Sequence, residues 1–171
     1  MSRDPAELRQ SLRIEVVRSC ANGEGLHLTV LRRTPLAGGR APGQFDGMRI
    51  LVADDDRMLS TLICAIVREA GHTPIPAFDA MQAMMFAIRP PAPALIILDI
   101  NMPGGTGLEA LRKLKLSAKT SEIPVVVVSG SDDAGMPAQV RALGAVDYLS
   151  KPIDPEQLVG AVSRALEQAA R

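Results

Sequence analysis

From Met48 onward the chain alternates short β-rich apolar runs with segments of helical periodicity, five times over, and this repetition leaves few folds open. RILVA (49–53) precedes Leu59, Leu62, Ile63, Ile66 and Val67 at i, i+3, i+4 spacing, and Gly71 closes that predicted helix. TPIPAF (73–78) reads as a strand, but Pro74 and Pro76 have no N–H to donate to a ladder, which assigns it to a sheet edge. Asp79 and Gln82 have capping-box spacing ahead of a helix carrying Met81, Met84, Met85 and Ile88, and Pro90-Pro91 stop it. The methionine stripe of this helix is expected in the core, not around a cofactor.

ALIIL (94–98) and VVVV (125–128) are unbroken apolar runs, as central parallel strands covered on both faces require. The helix around LEALRKLKL separates them, with Thr106 and Glu109 at capping spacing and Pro103 and Gly107 shaping the loop before it. A short helix near AQVRAL, ending at Gly144, leads to VDYL (146–149). Asp154-Pro155-Glu156-Gln157 supplies an N-cap, a proline at the first helical position and a capping Gln for a last helix that buries Leu158, Val159, Val162 and Leu166. Five βα units predict an α/β fold, a doubly wound five-stranded parallel sheet of order 2-1-3-4-5. In that order strands one and three are neighbours at the topological switch point, where ligands bind outside the carboxyl ends.

The first 47 residues have a different character. LRIEVV and LHLTVL flank SCANGEG in residues 1–33, and their alternating apolar positions predict a β-hairpin turning near Asn22-Gly23. A lone hairpin is marginal in water, so it must pack on something or stay loose. TPLAGGRAPGQFDG (34–47) is dense in Gly and Pro and reads as a linker to a domain over 48–171. His27 and His72 have no ligand set beside them and read as surface or packing residues, and Arg32-Arg33 as a solvated patch.

Lysine plus arginine (19) balances aspartate plus glutamate (19), so no net field draws the chain to nucleic acid or membrane. Aromatics at 2% argue against a base-stacking platform. No apolar run approaches the roughly 20 residues of a membrane span. Cys20 and Cys64 lack metal-ligand spacing, and with no signal peptide the expected location is the cytoplasm.

The chemistry gathers where the predicted strands end. The first gives Asp54, Asp55 and Asp56, the third Asp99, the fourth Ser129, and the fifth leads to Lys151-Pro152. Two unit charges about 4 Å apart repel by roughly 1 kcal/mol in water and about 4 near a protein surface, so such carboxylates splay into solvent or are neutralised. Asp56 is the natural cap of the first helix. The remaining carboxylates form an all-oxygen set that suits a hard cation such as Mg²⁺.

These residues resemble the receiver domain of two-component response regulators. The acidic pair in LVADD, the central aspartate in LDINMPGGTGLE, the hydroxyl in VVVVSG and the lysine in YLSKPI occur in the family's order and spacing. The resemblance covers 48–171 and implies the flavodoxin-like receiver fold in a bacterial phosphorelay. It implies that Asp99 accepts a phosphoryl group from a sensor histidine kinase or phosphotransfer protein. Asp55, Asp54 (through a water), Asp99 and the main-chain carbonyl of Asn101 would hold Mg²⁺. Lys151 would pair with Asp99 and then with a phosphoryl oxygen. Ser129 would bond another such oxygen, and Tyr148 would follow that shift. Asn101 and Ser131 occupy positions that tune water attack on the phosphate. Ala94 and Ala53 depart from the common pattern outside this shell.

Because the chain ends at Arg171 after the last helix, the expected output is contact with a downstream protein effector through the fourth helix, fifth strand and fifth helix, a relay to another phosphotransfer protein, or something carried by residues 1–47. Two competing readings stand beside this one. A receiver-like interaction module would never be phosphorylated. A haloacid-dehalogenase-like phosphohydrolase also uses an aspartyl nucleophile and Mg²⁺, and Asp54-Asp55-Asp56 with Asp132-Asp133 imitates its acids, but Lys151 follows the late pair instead of preceding it.

Overall fold

The computed structural model describes residues 47–102, 107–130 and 133–170. Within them the chain runs β1 (Arg49–Ala53), α1 (Arg57–Glu69), β2 (Thr73–Ala77), α2 (Ala80–Ile88), β3 (Leu95–Asp99), α3 (Gly107–Leu116), β4 (Val125–Ser129), α4 (Met136–Ala142), β5 (Asp147–Ser150) and α5 (Pro155–Ala169). The predicted hairpin and most of the linker, with Cys20, His27 and Arg32-Arg33, lie outside the described residues.

All four strand pairings are parallel and the order is β2-β1-β3-β4-β5, as the alternating pattern required. The proline-bearing β2 is an edge strand, where missing N–H groups leave no gap in a central ladder. Every residue of β3 and β4 is buried, which explains their continuous apolar sequences. The sheet's alternation sends side chains into two cores. Ile50, Val52, Ile97, Val126 and Val128 pack with α1 and α5 through Ile63, Val67, Leu158 and Leu166. Leu51, Ile96, Leu98, Val125 and Val127 pack with α2, α3 and α4 through Ala83, Leu111, Leu114 and Val140. Fully burying each such aliphatic side chain contributes about 1.5–3 kcal/mol.

Helix boundaries follow local chemistry. Asp56 Oδ1 accepts from the N–H groups of Met58 (2.9 Å) and Leu59 (3.2 Å), and Gly71 at φ 89° takes the left-handed turn after α1. Asp79 caps α2 by accepting from Gln82 N at 2.7 Å, while Gln82 Oε1 reaches the N–H of Phe78 instead of that of Asp79. Asp154 accepts from Glu156 N at 3.0 Å to start α5.

Two expectations need correction. The third and fifth strands sit one residue further along than their apolar runs suggest, and the fourth starts with its run at Val125 and extends one residue past it, because pairing continues through Asp99↔Val128 and Ser129↔Ser150. Asp99 and Ser129 are therefore the last residues of β3 and β4, held by the ladders themselves. The methionine stripe of α2 is not core either. Ala83 and Ala87 face the sheet at 0% exposure, which leaves Met81 (82% exposed) and Met85 (48%) on the outer side and Met84 only partly buried.

Candidate functional site

The carboxyl end of the sheet collects the ionisable residues. Asp54 follows β1 directly and its N–H donates to the Ala77 carbonyl of β2 at 3.1 Å, so the ladder extends into the acidic triplet. Its carboxylate is buried and its Oδ1 accepts from Asp56 N at 2.9 Å. Asp55, between two residues turned into local hydrogen bonds, is exposed. Asp99 is 2% exposed, and its Oδ1 accepts from the Asn101 N–H at 3.0 Å, which orients the carboxylate over the loop that leaves β3.

Lys151 closes the arrangement from the other side. Its N–H donates to the Ser129 carbonyl at 2.7 Å, carrying the β4–β5 pairing one residue beyond the strands. Its Nζ lies 2.8 Å from Asp99 Oδ2, as a hydrogen bond and ion pair, and 3.0 Å from Asp54 Oδ2. The Asp54 contact is short enough for an ion pair but is not aligned as a hydrogen bond, so its attraction is chiefly coulombic. The peptide bond from Lys151 to Pro152 is cis.

The electrostatics follow from this packing. Burial raises the Asp54 carboxyl above the ordinary carboxylate value, and its contacts with Lys151 only partly offset the rise. Burial alone would lower Lys151, but its hydrogen bond to Asp99 and the negative charges of Asp99 and Asp54 prevail, so its net shift is upward and it stays an ammonium. One ammonium therefore balances two carboxylates that are almost wholly removed from water.

Asp54, Asp55 and Asp99 each offer a carboxylate oxygen within 4.8 Å of the others. Three hard oxygen donors with more negative charge than Lys151 alone can balance suit a hard divalent cation that keeps part of its water shell. Exposed Asp55 opens the cluster to solvent.

The other predicted residues take their places around this centre. Ser129, at the end of β4, is completely buried. Gly130 beside it is exposed, and a Cβ there would meet nothing nearer than Lys151 Cδ at 3.8 Å, so that flank is open. Asn101 is exposed on the loop after β3. Tyr148 is half-buried in β5 and packs against the α2–α4 core. Asp56 serves as the α1 cap. Pro103, Thr106, Ser131 and Asp132 lie outside the described residues, and His72 is half-buried after α1.

Sequence reasoning missed two features. Lys151 bridges Asp54 as well as Asp99, and the Arg57 guanidinium lies 4.6 Å from the Phe78 ring centroid, linking the start of α1 to the exit of β2. Both join residues far apart in the chain, and no local pattern announces either.

A five-stranded 2-1-3-4-5 sheet with buried aspartates and a lysine at its carboxyl end defines a class, and the chain belongs to it: residues 50–163 match the response regulator receiver domain family. Among individual relatives, the phosphate regulon transcriptional regulatory protein PhoB of Klebsiella pneumoniae is 32% identical over 120 residues, covering 70% of this chain and 52% of PhoB. Protein PilH of Pseudomonas aeruginosa is 34% identical over 118 residues, covering 69% of this chain and 97% of PilH. Among solved structures, NtrX from Brucella abortus, crystallised with ATP, superposes with a TM-score of 0.66 at 34% identity over 72% of this chain and 28% of NtrX. The chain thus spans about half the length of the PhoB proteins it matches.

Proposed function

We propose that this chain is a phosphoacceptor response regulator of a two-component phosphorelay, with Asp99 as the residue that takes the phosphoryl group. The observation that carries the reading is the 2.8 Å contact of Lys151 Nζ with buried Asp99 Oδ2, beside two further carboxylates at the same end of the sheet. Residues 48–171 form the receiver, 34–47 a linker and 1–33 an appendage.

A phosphohistidine of a sensor kinase or phosphotransfer protein is the donor. An Asp99 oxygen attacks phosphorus as the P–N bond breaks, and the departing imidazole keeps the bonding pair and takes up a proton. Such a transfer asks the protein mainly for positioning and charge neutralisation. The β3–β4 ladder and the Asn101 N–H hold the Asp99 carboxylate in one direction. Lys151 faces the oxygen at which charge must be managed and passes from the carboxylate to a phosphoryl oxygen. Asp54, Asp55, Asp99 and the Asn101 carbonyl are the residues that would hold Mg²⁺, and the ion would supply positive charge to offset that of the phosphoryl oxygens.

The new group adds nearly two negative charges and three acceptor oxygens on Asp99. Ser129, at the end of the neighbouring strand, moves inward to donate its hydroxyl to one of them, and Tyr148 follows that shift on the α2–α4 side of the sheet. This two-state response is the signal, read by a downstream protein partner on the α4–β5–α5 face.

The test is incubation with acetyl phosphate and Mg²⁺, read by intact mass. The wild-type chain gains one phosphoryl group, and neither chelated wild type nor Asp99→Asn does. No adduct on the wild type identifies an unphosphorylated interaction module, and steady hydrolysis of a generic phosphoester identifies a phosphohydrolase.

A further inference from the structure

We infer that Gly107 is a positioning residue for the acidic centre: the absent side chain at the start of α3 lets the Asp99–Ile100 backbone seat against the helix and so sets the direction of Asp99 and Asn101. A Cβ on Gly107 would lie 2.2 Å from Ile100 Cα, 2.4 Å from the Asp99 carbonyl oxygen and 2.9 Å from the Ile100 carbonyl carbon. These are backbone atoms, so no side-chain rotation relieves the overlap. The Gly107 N–H also donates to the Ile100 carbonyl at 2.9 Å, which ties the helix start to the same peptide.

The requirement is for space alone. Gly71 and Gly144 adopt positive φ, where glycine serves the backbone conformation. Gly107 is buried in the first turn of α3, and its backbone is not among the positive-φ glycines. Gly130, which follows Ser129, would bring a Cβ only to Lys151 carbons at 3.8 and 3.9 Å and would accept a methyl group. Glycine at 107 is therefore what allows close approach to the segment following Asp99.

That segment carries the site. The Asn101 N–H holds Asp99 Oδ1 at 3.0 Å and Asp99 Oδ2 meets Lys151 at 2.8 Å, so displacing the Asp99–Ile100 peptide moves the carboxylate against both partners. It moves the Asn101 carbonyl with them. This inference rests on the proposed Mg²⁺-dependent phosphoacceptor role, and metal affinity is its natural readout. Supports one shell away from a metal typically alter affinity by about 10- to 100-fold when replaced.

The experiment is calorimetric Mg²⁺ titration of the full chain as wild type, Gly107→Ala and Gly144→Ala, with circular dichroism checking the fold of each. Gly144→Ala is the control, because it strains a positive-φ turn between α4 and β5 without touching the acidic residues. Gly107→Ala is expected to bind Mg²⁺ about tenfold more weakly, or worse, while Gly144→Ala matches wild type. Equal affinity in Gly107→Ala, or an equal loss in Gly144→Ala, overturns the positioning role and leaves the phosphoacceptor reading standing. Wild type that binds no Mg²⁺ removes both. If Gly107→Ala does not fold, amide exchange of the wild type decides. Mg²⁺ is expected to slow exchange of the Gly107 N–H and leave the Gly144 N–H unchanged, and an unaltered Gly107 rate overturns the inference.

Discussion

The ammonium of Lys151 stands 2.8 Å from the carboxylate of Asp99, joining residues 52 apart in sequence across the carboxyl ends of β3 and β5. Because Asp54 shares the same ammonium at 3.0 Å, one lysine holds two buried carboxylates together. The site is thus a compact electrostatic unit.

Removing that cation is expected to weaken the fold. In Lys151→Met, Asp54 and Asp99 face each other with no counter-ion while only 1% and 2% exposed. Breaking a buried ion pair costs about 3–5 kcal/mol, and partial exposure of the lysine points to the lower end, about 3 kcal/mol. Urea unfolding in the presence of a chelator measures it. A midpoint unchanged from wild type would show that the pair is solvated and energetically idle.

Asp56 separates capping from metal binding. Its side chain accepts from two backbone N–H groups at the start of α1, so Asp56→Ala is expected to lose about 1 kcal/mol of stability. Mg²⁺ affinity, followed by calorimetry, should stay within a factor of about two, well under the roughly tenfold expected of a supporting residue around a metal. A loss of tenfold or more would make Asp56 part of the metal site.

Lys115 gives the fold a pH dependence of its own. Its ammonium donates to the carbonyls of Ser121 (2.9 Å) and Ile123 (2.8 Å), and burial lowers it below the ordinary lysine value, with Glu122 opposing. Between the lowered value and 10.5 the folded chain binds fewer protons at this site than the unfolded chain, so stability rises with pH across that window. Lys151, shifted upward, titrates above the window and contributes nothing within it. Urea midpoints measured through the window should climb for wild type relative to Lys115→Met. Parallel profiles would contradict the assignment.

Much of this architecture is legible in the sequence because local chemistry and global topology agree. LIIL and VVVV announce central strands, Pro74 and Pro76 an edge, and Asp56, Asp79 and Asp154 the starts of helices. Given the strand order, the positions of Asp54, Asp99, Ser129 and Lys151 at one end follow from parallelism alone. Contacts between distant elements are not legible in this way. Met81 and Ala83 share one helix, and only packing against the sheet decides that the alanine goes in and the methionine out. Lys115 looks like one more charge in LRKLKL until the chain after α3 folds back beneath it. The space that Gly107 vacates likewise exists only once α3 meets Ile100.

Chemical trapping tests directly whether the phosphoryl group travels to one particular carboxylate. Borohydride reduces an aspartyl phosphate to homoserine and leaves free aspartate untouched, so the modified residue can be located by tandem mass spectrometry. After treatment with acetyl phosphate and Mg²⁺, homoserine is predicted at position 99, with Asp54, Asp55 and Asp56 intact. Conversion at one of those three residues, or none anywhere, would contradict the account.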